Sequence, residues 1–168
     1  MSHDVPHSRS RVLAHFIFVR FPYLVGGTLV LIAIAVNFAN VIARYVFASA
    51  IFWTEEVLVF LMLWSVFLAA VTIAFKGEHI NMDIFLERFS RPWKQFVSGS
   101  VAVVFISCCA FLVWQSWQVV TLHLMNGTRS VAAGVPMILP HTALLVGFSL
   151  MGLAVAYRFR AYLRGTFD

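Results

Sequence analysis

Charge is what this sequence has least of. Of its 168 residues, 12 are Lys or Arg and 7 are Asp or Glu, so charged residues make up 11%, against roughly 25% in an ordinary soluble domain. Hydrophobic residues make up 61%. No soluble core of this size can hide so much apolar surface, so lipid is the solvent for much of the chain. The few basic residues sit between apolar runs rather than in one patch, which gives a nucleic-acid partner no footing. Cysteine is nearly absent. Cys108 and Cys109 are adjacent and mid-span, and successive helical residues point about 100° apart, so no disulfide between them is expected. With no C-x-x-C spacing, they read as small apolar filler. There is no internal repeat and no low-complexity tract.

Catalytic constellations are missing as well. No H-E-x-x-H spacing and no G-x-S-x-G motif occurs. Ser98, Ser100 and Ser107 have no histidine at hydrogen-bonding spacing and read as helix-packing residues, as do the small pairs Ala70 with Ala74 and Gly152 with Ala156. A haem bundle needs histidines facing one another within the spans. His123 and His141, both near one membrane face, could make one site at best. No acid lies near the midplane of a span, where coupled transporters bind. The chain is therefore expected not to be an enzyme, with no catalytic residue, no cofactor and no metal.

What is present is four long apolar runs, about 21–43, 55–75, 95–122 and 136–157. From Val57 to Phe75 no residue is charged, and that run covers about 28 Å as a helix, close to a bilayer core. The first run is too long for a signal-peptide core, has no clear cleavage site, and precedes further spans, so it reads as an uncleaved helix. Pro136 and Pro140 fall near the start of the fourth, where proline is tolerated. The basic residues fix the orientation. Arg9, Arg11 and Arg20, then Lys76, Arg88, Arg91 and Lys94, then Arg158, Arg160 and Arg164 lie on one side, with only Arg44 and Arg129 on the other. The positive-inside rule places both termini in the cytoplasm. Between spans two and three, Met82, Phe85, Leu86, Phe89 and Trp93 follow helical spacing opposite His79, Asp83 and Glu87, which predicts an amphipathic interfacial helix over about 79–91. Pro92 is expected to end it and open span three. The fold class is thus an all-α integral membrane protein, a single domain of residues 1–168 with four transmembrane helices and one interfacial helix.

The stretch "FWTEEVLVFLMLW" (52–64) places two acids, Glu55 and Glu56, at the mouth of the second span, on the outer face. Asn37, Asn40 and Arg44 share a stripe on span one, and Gln115 and Gln118 share another on the outer half of span three. Groups of this kind need partners in hydrocarbon. Either Arg44 pairs with Glu55 or Glu56 and the amides extend a network, or the charges sit singly in interfacial water. Pairing would make Arg44→Leu lower assembly or stability. Two adjacent acids diverge on a helix, so a shared proton site is not expected. Trp53, Trp93 and Trp117 fall near interfaces, as an aromatic belt does. Trp64 and Trp114 lie deeper, offering surface to lipid or to a partner.

Residues 43–85 carry a resemblance. Arg44–Tyr45, then Trp53–Thr54–Glu55–Glu56, an apolar span closing on Ala69–Ala70, the turn Lys76–Gly77, and His79–Ile80 with Asp83 together resemble the signature region of the small, DctQ-like membrane subunit of TRAP transporters (tripartite ATP-independent periplasmic transporters). Chain length, four spans and inward termini agree with it. Ala69–Ala70 stands where the pattern suggests Gly–Ala. The resemblance implies a bacterial inner-membrane accessory subunit that scaffolds a large, sodium-coupled transport subunit. A periplasmic solute-binding protein would deliver an organic acid, and the other partners would be membrane lipids. It also implies that Arg44, Trp53, Glu55 and Glu56 fix the outer end of span two, and that His79 and Asp83 do the same at the cytoplasmic side. His79 and Asp83 also read simply as a surface i, i+4 pair. Two competing classes are a self-sufficient homo-oligomeric exporter, which would want an acid within a span, and a four-helix membrane enzyme, which would want redox cysteines or an arginine-rich pocket. The connection 123–135, with Arg129 its one basic group, is the candidate contact for a periplasmic protein.

Overall fold

The computed structural model describes residues 13–76 and 91–159, with only the backbone for 91–95. These residues form four helices: α1 (Leu13–Val46), α2 (Thr54–Lys76), α3 (Arg91–Asn126) and α4 (Ile138–Tyr157). Each contains a stretch long and apolar enough to cross a membrane. Among the described residues there is no strand, only one isolated bridge between Arg129 and Pro136. The segment expected to be an interfacial helix, with His79 and Asp83, lies outside the described residues except for Arg91, which opens α3.

The helices form a row rather than a closed ring. The main seams join α1 to α2, α2 to α4, and α4 to α3. Two helices are therefore central, and α1 and α3 are the outer rails. Lipid is as apolar as leucine, so burial drives such packing weakly, and close van der Waals fit must hold the seams. Small residues supply that fit. Gly26 faces the Ser65 carbonyl across the α1–α2 seam, Gly147 faces Phe67 across α2–α4, and Gly152 faces Cys109 across α4–α3. Val71, Ala74, Ala102, Cys109, Met151 and Val155 are buried together where α2, α3 and α4 meet. Cys109 is thus the core filler its sequence context suggests, while Cys108 is exposed. Of the four small residues expected at helix contacts, Ala74 is fully buried, Ala70 packs on the core and Gly152 lies at a seam. Ala156 is exposed.

Several boundaries differ from the sequence expectation. The first helix is already formed at Leu13, the first described residue, rather than starting at 21, because the apolar positions before Arg20 still have a surface to cover. Ala14 is buried with Phe75 and Ala154, and the Phe18 ring stacks on Phe75 at 5.3 Å. Within this extension Phe16–Arg20 is a π-helical turn, with the Phe21 N–H donating to the Phe16 carbonyl. Pro22, next in line, has no N–H to continue the α pattern and its ring crowds the preceding carbonyls, so a widened turn is the local solution. The third helix runs on to Asn126, and the fourth starts at Ile138, not Pro136, because residues 128–137 fold back on themselves. Ser100 and Ser107 do not pack between helices. Both are exposed, and their hydroxyls donate to the carbonyls of Phe96 and Val103, four residues back, which satisfies them inside lipid.

At the basic end, Arg158 closes the α2–α4 seam. Its Nη1 donates to the Phe75 carbonyl at 3.1 Å, and its guanidinium lies 5.1 Å from the Phe75 ring centroid. The cation thus meets the carbonyl end of α2, where the helix dipole favours positive charge.

Candidate functional site

At the opposite ends of the helices, the sequence places its outer polar residues. They do not form one network. Asn40, in the last two turns of α1, is buried, and its Oδ1 accepts the Ile51 N–H at 2.9 Å. It thereby pins the connection from Phe47 to Trp53 back onto α1. Asn40→Leu leaves that N–H without a partner and is expected to cost about 1–3 kcal/mol, seen as a lower melting temperature of the purified chain in detergent.

Glu55 and Glu56 diverge, as adjacent helical residues must. Glu55 turns toward α1, with its Oε1 3.9 Å from Arg44 Nη2. The contact is long, and the two side chains are 52% and 81% exposed for Arg44 and Glu55 respectively. Solvent screens such a pair. Arg44→Leu is therefore expected to change the stability of the isolated chain by no more than about 0.5 kcal/mol, measured by thermal unfolding beside the unmodified protein.

Glu56 turns the other way. Its Oε1 accepts the Ala132 N–H at 3.0 Å, and its Oε2 accepts the Ala133 N–H at 2.8 Å. Both oxygens of one carboxylate are used on consecutive backbone amides, an arrangement that favours the ionised form as acceptor. The amides belong to a hairpin-like loop between α3 and α4. The Ser130 N–H donates to the Val135 carbonyl at 2.8 Å, the Met137 N–H to the Thr128 carbonyl at 3.1 Å, and the Val135 N–H to Ser130 Oγ at 3.1 Å. Gly134 has φ +63, a left-handed conformation open to glycine at little cost. The loop's turn exposes its amides on one side, and Glu56 is what they meet.

The α3–α4 ends are tied beside this loop. The rings of His123 and His141 stack with centroids 4.6 Å apart and planes 16° apart, and His123 Nδ1 is hydrogen-bonded to Thr128 Oγ1. Near-parallel stacked imidazoles do not aim their in-plane lone pairs at one point, so the pair is built for packing rather than for ligating one ion. Among the described residues, no three His, Cys, Asp or Glu gather in a group that could hold a metal. Trp64, deep in α2, donates its indole N–H to the Leu139 carbonyl at 3.0 Å, fixing the start of α4.

Between the start of α2 and the loop lies a cleft of about 350 Å³, with Glu55 and Arg129 among its polar lining and Val59, Phe60 and Met137 among its apolar lining. Ser130 and Glu56 also line it, but both are engaged in holding the loop, Ser130 Oγ by the Val135 N–H and Glu56 by the Ala132 and Ala133 amides. Asn37, Gln115 and Gln118 are exposed and make no hydrogen bond among the described residues. Gln115 and Gln118, on α3, are at the far end of the row from Asn37 and Arg44, on α1. Trp53 is part-exposed in the turn before α2, where its carbonyl accepts the Val57 N–H at 3.3 Å. The loop's bond to Glu56 has almost no signature in the sequence. The only signal for it was turn chemistry, Gly127 and Gly134 bracketing a polar stretch, with nothing to say which acid would be reached.

Residues 18–165 match the family described as "Tripartite ATP-independent periplasmic transporters, DctQ component". A relative from Oleidesulfovibrio alaskensis, "Isethionate TRAP transporter permease protein DctMQ", is 32% identical over 139 residues, which are 79% of this chain and 21% of that protein. The chain thus spans about a fifth of that relative's length. A second relative, from Haemophilus influenzae and bearing the name of a TRAP transporter small permease protein, is 32% identical over 119 residues, 69% of this chain and 71% of its own length.

Proposed function

The chain belongs to the DctQ component family of tripartite ATP-independent periplasmic transporters, and from that premise we propose that it is the static scaffold of a sodium-coupled uptake system for an organic acid. In this reading it docks to a large membrane subunit that carries the solute and sodium sites, and a periplasmic binding protein delivers the solute. The termini and the 77–90 connection face the cytoplasm of a bacterial inner membrane, in line with the ten-to-two distribution of basic residues.

The observation that carries the reading is the family match over 18–165. The relative from O. alaskensis adds support. The match covers 21% of that permease, so most of the relative is made of parts other than the one similar to this chain. The outer end is suited to holding rather than to catalysing. Asn40 and Glu56 spend their polar atoms on fixing two connections, while Arg44, Trp53 and Glu55 remain accessible for contact with a partner.

A mild-detergent pull-down of the C-terminally tagged chain from its native membrane tests this. The expected result is stoichiometric recovery of one large multi-span protein. Recovery of the chain alone, or only as its own oligomer, overturns the scaffold reading.

A further inference from the structure

The outer rail α3 carries a face that suits protein better than lipid. Phe111, Trp114, Gln115, Gln118, Leu122 and Met125 are all exposed, and at about 100° per residue they fall within one stripe roughly 100° wide. Its centre, at Gln118, is about 180° around the helix from Cys109, which is buried against Gly152 of α4. The stripe therefore points directly away from the rest of the chain.

Its depth follows from the seams. Gly152 faces Cys109 and Gly147 faces Phe67, which sets α2, α3 and α4 in register. Counting residues from these pairs at 1.5 Å each puts Gln118 about 13 Å, and Gln115 about 18 Å, below the level of Thr54 at the start of α2. On the same scale α2 is about 33 Å long, so Gln115 lies near the middle of the membrane. Two primary amides at that depth make no hydrogen bond among the described residues. Lipid tails offer none, and such groups persist in hydrocarbon where another chain meets them.

The other rail differs. The outward centre of α1 is Leu24, Leu31, Phe38, Ile42 and Tyr45, apolar until the interfacial tyrosine. Its exposed amide, Asn37, sits about 40° from buried Ala33 and about 60° from buried Asn40, at the flank of the α2 seam rather than on the outward face.

We infer that the Gln115–Gln118 face of α3 is the docking surface for the large membrane subunit, through a transmembrane segment that presents hydrogen-bonding side chains or unwound backbone at mid-membrane depth, and that the outward face of α1 is left to lipid. This inference rests on the scaffold reading above. Neither amide makes a hydrogen bond among the described residues, so their role is in assembly and not in the fold.

Photo-crosslinking in native membranes tests the face, with the photoreactive residue at Phe111 or Leu122 on α3 and at Leu31 or Phe38 on α1. Adducts with the large permease subunit, identified by its peptides, are expected from the α3 positions and not from the α1 positions. In the double variant Gln115→Leu/Gln118→Leu, the partner recovered in the pull-down is expected to fall about tenfold, with the melting temperature of the isolated chain unchanged. Permease adducts from α1 overturn the face while leaving the scaffold reading intact. So does undiminished partner recovery by the double variant. Adducts from α3 only with a second copy of this chain replace the inference with self-association. If no position gives a protein adduct and the pull-down is also empty, the scaffold reading itself fails. If the pull-down succeeds without adducts, only the face is wrong.

Discussion

Replacing Gly147 by alanine is expected to cost about 1–3 kcal/mol, and replacing it by leucine to prevent α2 and α4 from seating at all. A Cβ at this position would stand 2.7 Å from Phe67 Cβ and from Phe67 Cδ1. The first of these atoms is fixed to the α2 backbone and cannot swing aside. The Phe67 ring has little freedom either, since it meets Phe148 edge-on at 5.1 Å. The helices must therefore separate, and the loss spreads along the central seam because α2 and α4 are the two helices that join both rails. Gly27→Ala is the control. Nothing lies within 4 Å of a Cβ there, so the change meets no obstacle and is expected to gain roughly 0.5–1 kcal/mol of helix propensity. Thermal unfolding of both variants in the same detergent decides it. A Gly147→Ala protein that melts with the unmodified chain would show that the seam yields more readily than its geometry implies.

Glu56→Ala is expected to release the α3–α4 loop. Hydrogen exchange at Ala132 and Ala133 should accelerate more than anywhere else in the chain, and the 128–136 region should become accessible to protease. The reason is stoichiometric. One carboxylate supplies the acceptors for both amides, and no other carboxylate oxygen is bonded to them among the described residues. Glu56→Gln should fall between, because it keeps one acceptor oxygen but turns an NH₂ donor toward the second amide. Glu55→Gln should leave loop exchange unchanged, since Glu55 faces Arg44 and not the loop. Two neighbouring acids of the same type are thus separable by one measurement. Equal loop exchange in the Glu56→Ala and unmodified proteins would mean that the internal bonds of the turn suffice to hold it.

The same two acids show where the sequence stops. Composition and run length determine that the chain lies in a membrane as four helices, because no other solvent accepts so much apolar surface and no other backbone form satisfies its own polar groups within a single segment. The motif around Arg44, Trp53, Glu55 and Glu56 points to the family on local pattern alone, and the match over 18–165 agrees. Periodicity also sets Gln115 and Gln118 on one stripe.

Which stripe faces inward was not legible, since every face of these helices is apolar and amphipathicity, the usual guide, is absent. Only packing decides it. Gly147 and Gly152 allow close approach on particular faces, and those approaches order the helices as a row with α1 and α3 outside. The destination of Glu56 was hidden for a different reason. Its partners are backbone amides 76 and 77 residues away, whose orientation is set by a turn and not by their side chains. Alanine at 132 and 133 says nothing in sequence about an N–H left open. Tertiary structure brings that turn over the start of α2, and there the acid nearer the loop takes its amides while the other is left beside Arg44.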